Sequence, residues 1–380
     1  MTLKKIGFYY YDIEYFNKKL MTYINIEIYK NIPTECADFL VDIQENLINP
    51  TKESVISQAK RIRPMICYWL LRNFSNTEDK IFQNIEELEK KNKKLIDVVD
   101  NIAIGIELLH CASLVVDDIE DGSLERRGKK SLHVAFGLPI ALNTANWVYF
   151  LALKLFPLSV KSIVVDTLFA CHIGQALDLS NSNEFMNRSY FYAKEDVRWS
   201  LYEKSVTLKT GKLLLLPLYC LHKILKLSEN DILLLKKIFS IYGIIYQIFD
   251  DLKNVLPELN SKKLYEDLNA GIRSAVVHSF LDLLSENEKD AAYEAYKMNS
   301  FKSYFLKHSK RIICLEKCYY KASYLLYIVS VQLDTIQISK EHREYLSEIM
   351  EKPFEIIRKN IFSVINIKNN KTINEENCIL

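Results

Sequence analysis

LIDVVDNIAIGIELLHCASLVV, residues 95–116, is apolar at almost every position, and only Asp97, Asp100, Asn101, Glu107, His110 and Ser113 interrupt it. A helix that is apolar nearly all round belongs in the middle of a large helical protein, because only there can every face be buried. Composition points the same way. Glycine and proline number 9 and 8 of 380 residues, about 2% each against usual values of roughly 7% and 5%. So few turn-formers exclude a β-sandwich, a glycine-rich nucleotide-binding fold and a disordered chain, while 49% hydrophobic residues suffice for a core. The expected class is all-α.

Charge and cysteine usage narrow the function. Lys and Arg number 50 against 48 Asp and Glu, a formal charge of +2. That balance lacks the basic excess that nucleic-acid binding needs, so no nucleic-acid partner is expected and charged chemistry must be local. The eight cysteines, at 36, 67, 111, 171, 220, 314, 318 and 378, form no CxxC and no zinc-like spacing with histidine. They read as reduced thiols of a cytoplasmic protein. No long apolar segment opens the chain, so no signal peptide is expected. The longest apolar stretches, such as 238–249, are broken by Gly and Gln and fall short of the roughly 20 residues a membrane span takes. Cys378 stands third from the end rather than fourth, so a prenylation box is absent.

Apolar spacing predicts helices over about 60–74, 139–157, 161–182, 189–208, 212–227, 229–253, 273–285, 301–308, 310–333 and 340–363. Residues 75–94 are polar and read as a loop with a solvated helix. Residues 1–50 resemble an appended arm plus a first helix, and 366–380 a frayed tail.

The central run passes into Asp117-Asp118-Ile119-Glu120-Asp121, then Gly122 and Arg126-Arg127-Gly128. Asp117 and Asp121 share a helix face at i, i+4, with Asp118 about 100° away. Carboxylates crowded after a buried run repel one another and resist desolvation unless a cation neutralises them. By itself the cluster reads equally as a helix end turned into solvent. A second apolar helix runs into Asp250-Asp251-Leu252-Lys253-Asn254 and repeats the pattern. Two such helices facing across a cavity would supply the oxygen ligands that Mg²⁺ prefers, with a phosphate ester as substrate. Lys209-Thr210-Gly211, Arg126 and Arg127 offer cations for the remaining phosphate charge.

ASLVVDDIEDGSLERRG (112–128) resembles the first aspartate-rich motif, DDxxD, of the trans-isoprenyl diphosphate synthases, most closely the eukaryotic geranylgeranyl diphosphate synthases. AKRIRP (59–64), GQALDL (174–179), LKTG (208–211) and YQIFDDLKN (246–254) follow in that family's order, and the resemblance covers about residues 55–285. It implies a single-domain helical bundle around a central cavity, with a catalytic domain at 51–365. It also implies that Asp117, Asp118, Asp121 and Asp250 hold Mg²⁺, three ions per site, on an allylic diphosphate contacted by Arg126, Lys209, Thr210 and Gln247. Lys60, Arg63, His110 and Arg127 match the pocket for isopentenyl diphosphate. The implied reaction is ionisation, condensation and elimination: the allylic C–O bond breaks, the double bond of isopentenyl diphosphate attacks the cation, and a proton is lost. Farnesyl diphosphate would become geranylgeranyl diphosphate, in an enzyme expected to be a homodimer or higher homo-oligomer. Ala112 and Ser113, both small, leave room below Asp117, and Tyr149, Phe150 and His172 match residues that close the cavity floor.

The chain also departs from the pattern. After the second motif, Ile272 stands where the family has a diphosphate-binding lysine, with Arg273 one residue on; Phe249 replaces a common arginine; and about 15 to 20 extra polar residues separate Arg63 from His110. On a helix a one-residue shift turns a side chain by about 100°. A terpene synthase acting on a single prenyl diphosphate and a non-catalytic regulatory subunit therefore stand beside the elongation reading. A non-enzymatic helical scaffold is disfavoured, because it gains nothing from buried carboxylates that need a metal.

Overall fold

The computed structural model describes residues 8–56, 59–74, 85–179, 184–257, 264–270, 273–336 and 338–365. Among them the structure is helical apart from one two-residue hairpin, Glu125–Arg126 against Lys129–Lys130. The all-α expectation holds. The chain forms two compact units: Met1–Asp166 with Leu216–Ile232 and Ile338–Met350, and Thr167–Leu215 with Leu233–Gln337 and Glu351–Leu380.

The first unit is built on the 95–116 run, which forms the helix Lys93–Glu120. Asn92 caps its start by accepting a hydrogen bond from the Leu95 amide. Its apolar residues are buried on nearly all sides, as the sequence pattern demands. Leu138–Leu155 packs along it, and Ile62–Phe74 lies against it. The N-terminal helix, Phe8–Asn25, belongs to the same unit. It is fastened by an ion pair with no exposure on either side, in which Arg72 grips both carboxylate oxygens of Asp12 at 2.7 and 2.6 Å. Tyr345 donates to the same carboxylate at 2.9 Å. Farther along, Tyr15 and Tyr68 both donate to Asp100 of the central helix at 2.8 Å.

The second unit contains Glu195–Val206, Ala275–Leu283, Arg311–Asp334 and Glu355–Ile365, together with most of Glu229–Asn254. Two expected helices are each broken. The 189–208 stretch is two helices, Glu184–Tyr192 and Glu195–Val206, and the 340–363 stretch is Lys340–Met350 and Glu355–Ile365, with Pro353 in the turn between. Glu286–Lys297 was not legible from apolar spacing, because its sequence ENEKDAAYEAYK is mostly polar. A reciprocal cap of Ser285 and Glu288 starts it. The polar insertion contributes a short helix, Ile85–Lys91, whose Ile85 and Leu88 are buried; residues 75–84 lie outside the described residues.

By length and composition alone, Leu158–Leu179 and Glu229–Asn254 are long and apolar enough to cross a membrane. The apolar stretches are thus longer than the sequence reading credited, since a helix runs on through Gly243 and Gln247. Leu158–Leu179 exposes Val165, Phe169, Ile173 and Leu177 at four-residue intervals, one apolar stripe along one face. On Leu138–Leu155, Leu138, Leu142 and Phe150 are exposed along one face, with Asn146 between the last two.

Candidate active site

The first aspartate cluster occupies the last turn of Lys93–Glu120 and its C-cap, Asp121. There the helix stops cleanly: the Ser123 amide bonds the Asp118 carbonyl, the Gly122 amide bonds that of Ile119, and Gly122 turns left-handed at φ 63°. A helix C-terminus carries partial negative charge, so acids placed there are repelled by the backbone as well as by each other. A cation must answer them.

Arg126 is that cation in this structure. Arg127 and Gly128 both adopt positive φ in the two-residue turn, the conformation a tight antiparallel hairpin requires, and the chain folds back over the helix end. Arg126, on the first strand of this hairpin, donates to both oxygens of Asp118, at 2.6 to 3.0 Å, and to Asp117 at 3.0 Å. Asp118 is buried, Asp117 half-buried and Asp121 exposed. Among the described residues no three carboxylate, imidazole or thiol groups converge to hold a metal unaided. The donor chemistry nonetheless fits Mg²⁺, which takes one or two carboxylates and fills its other positions with water and phosphate oxygens. Two carboxylates already organised around one guanidinium are such a partial set.

His110 lies seven residues before Asp117, two turns back on the same face. It is half-buried, and burial first, then the guanidiniums of Arg63, Arg127, Arg126 and Arg61, hold its imidazole well below the usual range. The ring is therefore neutral near pH 7 and can donate one N–H to an anion. Arg63 is half-buried, and Lys60 and Arg127 are exposed. The sequence-matched pocket residues Arg63, His110 and Arg127 are thus within electrostatic reach of one another in one unit.

In the second unit the LKTG segment forms a wide helical turn, Thr207–Gly211. Its Lys209 pairs with Asp178 of GQALDL at 2.9 Å, and Ser205 bonds the same carboxylate at 2.8 Å. Gly174 makes this approach possible, because a Cβ there would stand 2.5 Å from the Lys209 amide nitrogen. Thr210 donates to the Gln247 side chain at 3.2 Å, and Gln247 donates to Asp251 at 2.9 Å. Asp250 is exposed at the same helix end. Asp251 is the residue that motif matching undervalued: it is buried and accepts from Tyr202, Gln247 and the Ala275 amide. Burial lifts its carboxyl to about 6 against the pull of those donors, with Asp250 adding to the lift. It ties Gln247 to the segment just after the second motif.

The departures also have places. Phe249 is fully buried and stacks on Phe354 with ring centroids 4.3 Å apart, so the missing arginine has become core. Arg273 stacks its guanidinium on Tyr190 at 4.9 Å, while Ile272 lies outside the described residues. Of the chain-length candidates, Ala112 is buried, Ser113 and Tyr149 are half-buried, and Phe150 and His172 are exposed. Phe150, at 68% exposure, belongs to the apolar surface stripe within a single chain.

The family model described as polyprenyl synthetase matches residues 44–311. The geranylgeranyl pyrophosphate synthase of Dictyostelium discoideum is 31% identical over 221 residues, which cover 54% of this chain and 69% of that protein. The copalyl diphosphate synthase of Talaromyces verruculosus is 34% identical over 211 residues, 54% of this chain and 20% of that protein. The chain spans less than two thirds of the length of several curated relatives, 62% for the geranylgeranyl pyrophosphate synthase of Eremothecium gossypii. In fold it is similar to the geranylgeranyl pyrophosphate synthase of Corynebacterium glutamicum solved with isoprenyl diphosphate and magnesium. The TM-score is 0.68 at 18% identity, covering 89% of this chain and 98% of that one. A match over residues 44–311, with both aspartate clusters and the intervening motifs in order, means that the chain belongs to the polyprenyl synthetase family.

Proposed function

We propose that the protein is a Mg²⁺-dependent prenyltransferase that condenses isopentenyl diphosphate with an allylic diphosphate, farnesyl diphosphate to geranylgeranyl diphosphate. The observation that carries this reading is the division of labour along one helix. Its last turn bears carboxylates, which bind an anion only through a metal, and two turns back His110 sits among arginines that bind an anion directly. An enzyme with a single diphosphate substrate has no use for the second arrangement, since two diphosphates bound together repel each other and need separate counter-charge.

Asp117, Asp118, Asp121 and Asp250 would hold Mg²⁺, which when bound neutralises the leaving diphosphate and eases C–O cleavage. Arg126 would hand its hydrogen bonds from the aspartates to the allylic diphosphate, and Lys209, Thr210 and Gln247 match the family's motif contacts to an allylic diphosphate. Lys60, Arg63, His110 and Arg127 would seat isopentenyl diphosphate, with His110 a neutral donor. No side chain is assigned as the final base. The exposed stripes of Leu138–Leu155 and Leu158–Leu179 support self-association into a homodimer, since apolar faces of that length are costly to leave in water.

Chain length supplies the test of this reading. Ser113 stands one turn below Asp117, so Ser113→Phe puts a ring in the path of the growing chain and should move the main product from C20 towards C15. An unchanged C20 product at preserved rate would place the growing chain elsewhere. One observation favours a second reading, a terpene synthase: the lysine expected after the second motif is replaced, and Arg273 is engaged with Tyr190.

A further inference from the structure

Arg61 lies between two candidate pocket residues, Lys60 and Arg63, yet it differs from both. It is 6% exposed, against an exposed Lys60 and a half-buried Arg63. Its backbone is left-handed at φ 50°, a strained conformation for a non-glycine residue that persists only where the surroundings hold it. Its carbonyl accepts from the Met65 amide at 3.0 Å, and its side chain is anchored on both sides. One guanidinium nitrogen donates to Glu107 at 2.6 Å, and the other to the Val55 carbonyl at 2.9 Å. Glu107 is 1% exposed and belongs to the central helix, one turn before His110. The pair is thus a buried strut running from the helix that carries His110 to the joint between Lys60 and the first turn of Ile62–Phe74, which carries Arg63.

We propose that Arg61 and Glu107 are positioning residues for the anion pocket: by holding residue 61 left-handed, the strut aims Lys60 and Arg63 at the diphosphate that His110 and Arg127 also face. This inference rests on the proposed function and deepens it. If the strut is released, residue 61 relaxes to negative φ and the flanking peptide planes rotate, so the two cations leave the pocket although neither has been mutated. Charge alone predicts something different. Arg61 is neutralised by Glu107, so removing the glutamate charge should raise the local positive potential and tighten anion binding.

The test is calorimetric binding of isopentenyl diphosphate and of inorganic pyrophosphate to the full chain in excess chelator, which silences the aspartate sites. Three proteins are compared: wild type, Glu107→Gln, and Arg61→Gln combined with Glu107→Gln, which leaves no uncompensated buried charge. Circular dichroism and a cooperative melt establish that each is folded. Loss of a hydrogen-bonded charge contact by the ligand corresponds to about tenfold in affinity or more, so both variants should bind both ligands at least that much more weakly. Their Mg²⁺-dependent affinity for farnesyl diphosphate should stay near that of wild type. Wild-type affinity in the folded double variant, or tighter binding by Glu107→Gln, would overturn the positioning role. A wild-type protein that binds neither ligand without metal would overturn the pocket itself and this inference with it. Pyrophosphate binding that depends on the strut, without any elongation of farnesyl diphosphate, would uphold the strut and sink the proposed reaction.

Discussion

Asp117→Ala should remove nearly all Mg²⁺-dependent turnover and leave the helical circular dichroism unchanged. Asp117 sits in the final turn of the central helix, half-buried, and shares Arg126 with Asp118. As a metal ligand it would act on charge that develops during C–O cleavage, and losing several kcal/mol of that stabilisation lowers the rate by about 10³ or more. The fold has little to lose. Arg126 keeps its bonds to Asp118, and the substitution takes a negative charge from the negative end of a helix dipole, so stability should shift by no more than about 0.5 kcal/mol. Steady-state rates with and without chelator, beside a thermal melt, check both halves. Full activity of the variant, or of wild type in excess chelator, would contradict the metal role.

Arg72→Met should be the most destabilising single change outside the site. It strands the Asp12 carboxylate in a place with no solvent access, with the Tyr345 hydroxyl still donating to it. Breaking one side of a buried pair costs about 3–5 kcal/mol, a large part of the roughly 5–15 kcal/mol by which a domain is stable. Urea denaturation should therefore show a markedly lower midpoint. Combining Arg72→Met with Asp12→Leu should recover much of the loss, because no uncompensated charge is then buried. A midpoint unmoved by Arg72→Met would mean that the N-terminal helix is not held by this pair.

What the sequence disclosed and what it hid divide along the range of the interactions. Asp117, Asp121 and His110 share one helix face and Asp118 stands about 100° from it, as a period of 3.6 residues requires, and the structure keeps all four on Lys93–Glu120 and its cap. The all-α class follows from the same run and from the scarcity of glycine and proline. The longer-range partners were not legible. Nothing in the sequence links Asp12 to Arg72, or Arg61 to Glu107, since each pair is brought together only by folding. Lys209, which the sequence offers as a cation for phosphate, is paired with Asp178, and Gly174 finds its reason only in the close approach of the Lys209 backbone. Asp251 has the same residue type as Asp250 one position earlier. Burial alone separates their environments, one exposed and one held by three donors. Phe150 shows the opposite limit. An apolar residue at helical spacing reads as core, yet Phe150 faces outward.

The central claim is that two diphosphates are consumed together, and the most direct measurement is product analysis with geranyl, farnesyl and geranylgeranyl diphosphate, each with and without isopentenyl diphosphate. No product should form from any allylic substrate alone. With isopentenyl diphosphate a longer prenyl diphosphate, C20 from farnesyl diphosphate, should form only when Mg²⁺ is present. Hydrocarbon or alcohol released from a single prenyl diphosphate, at a rate equal to or above that of elongation, would contradict the claim and identify the chain as a terpene synthase.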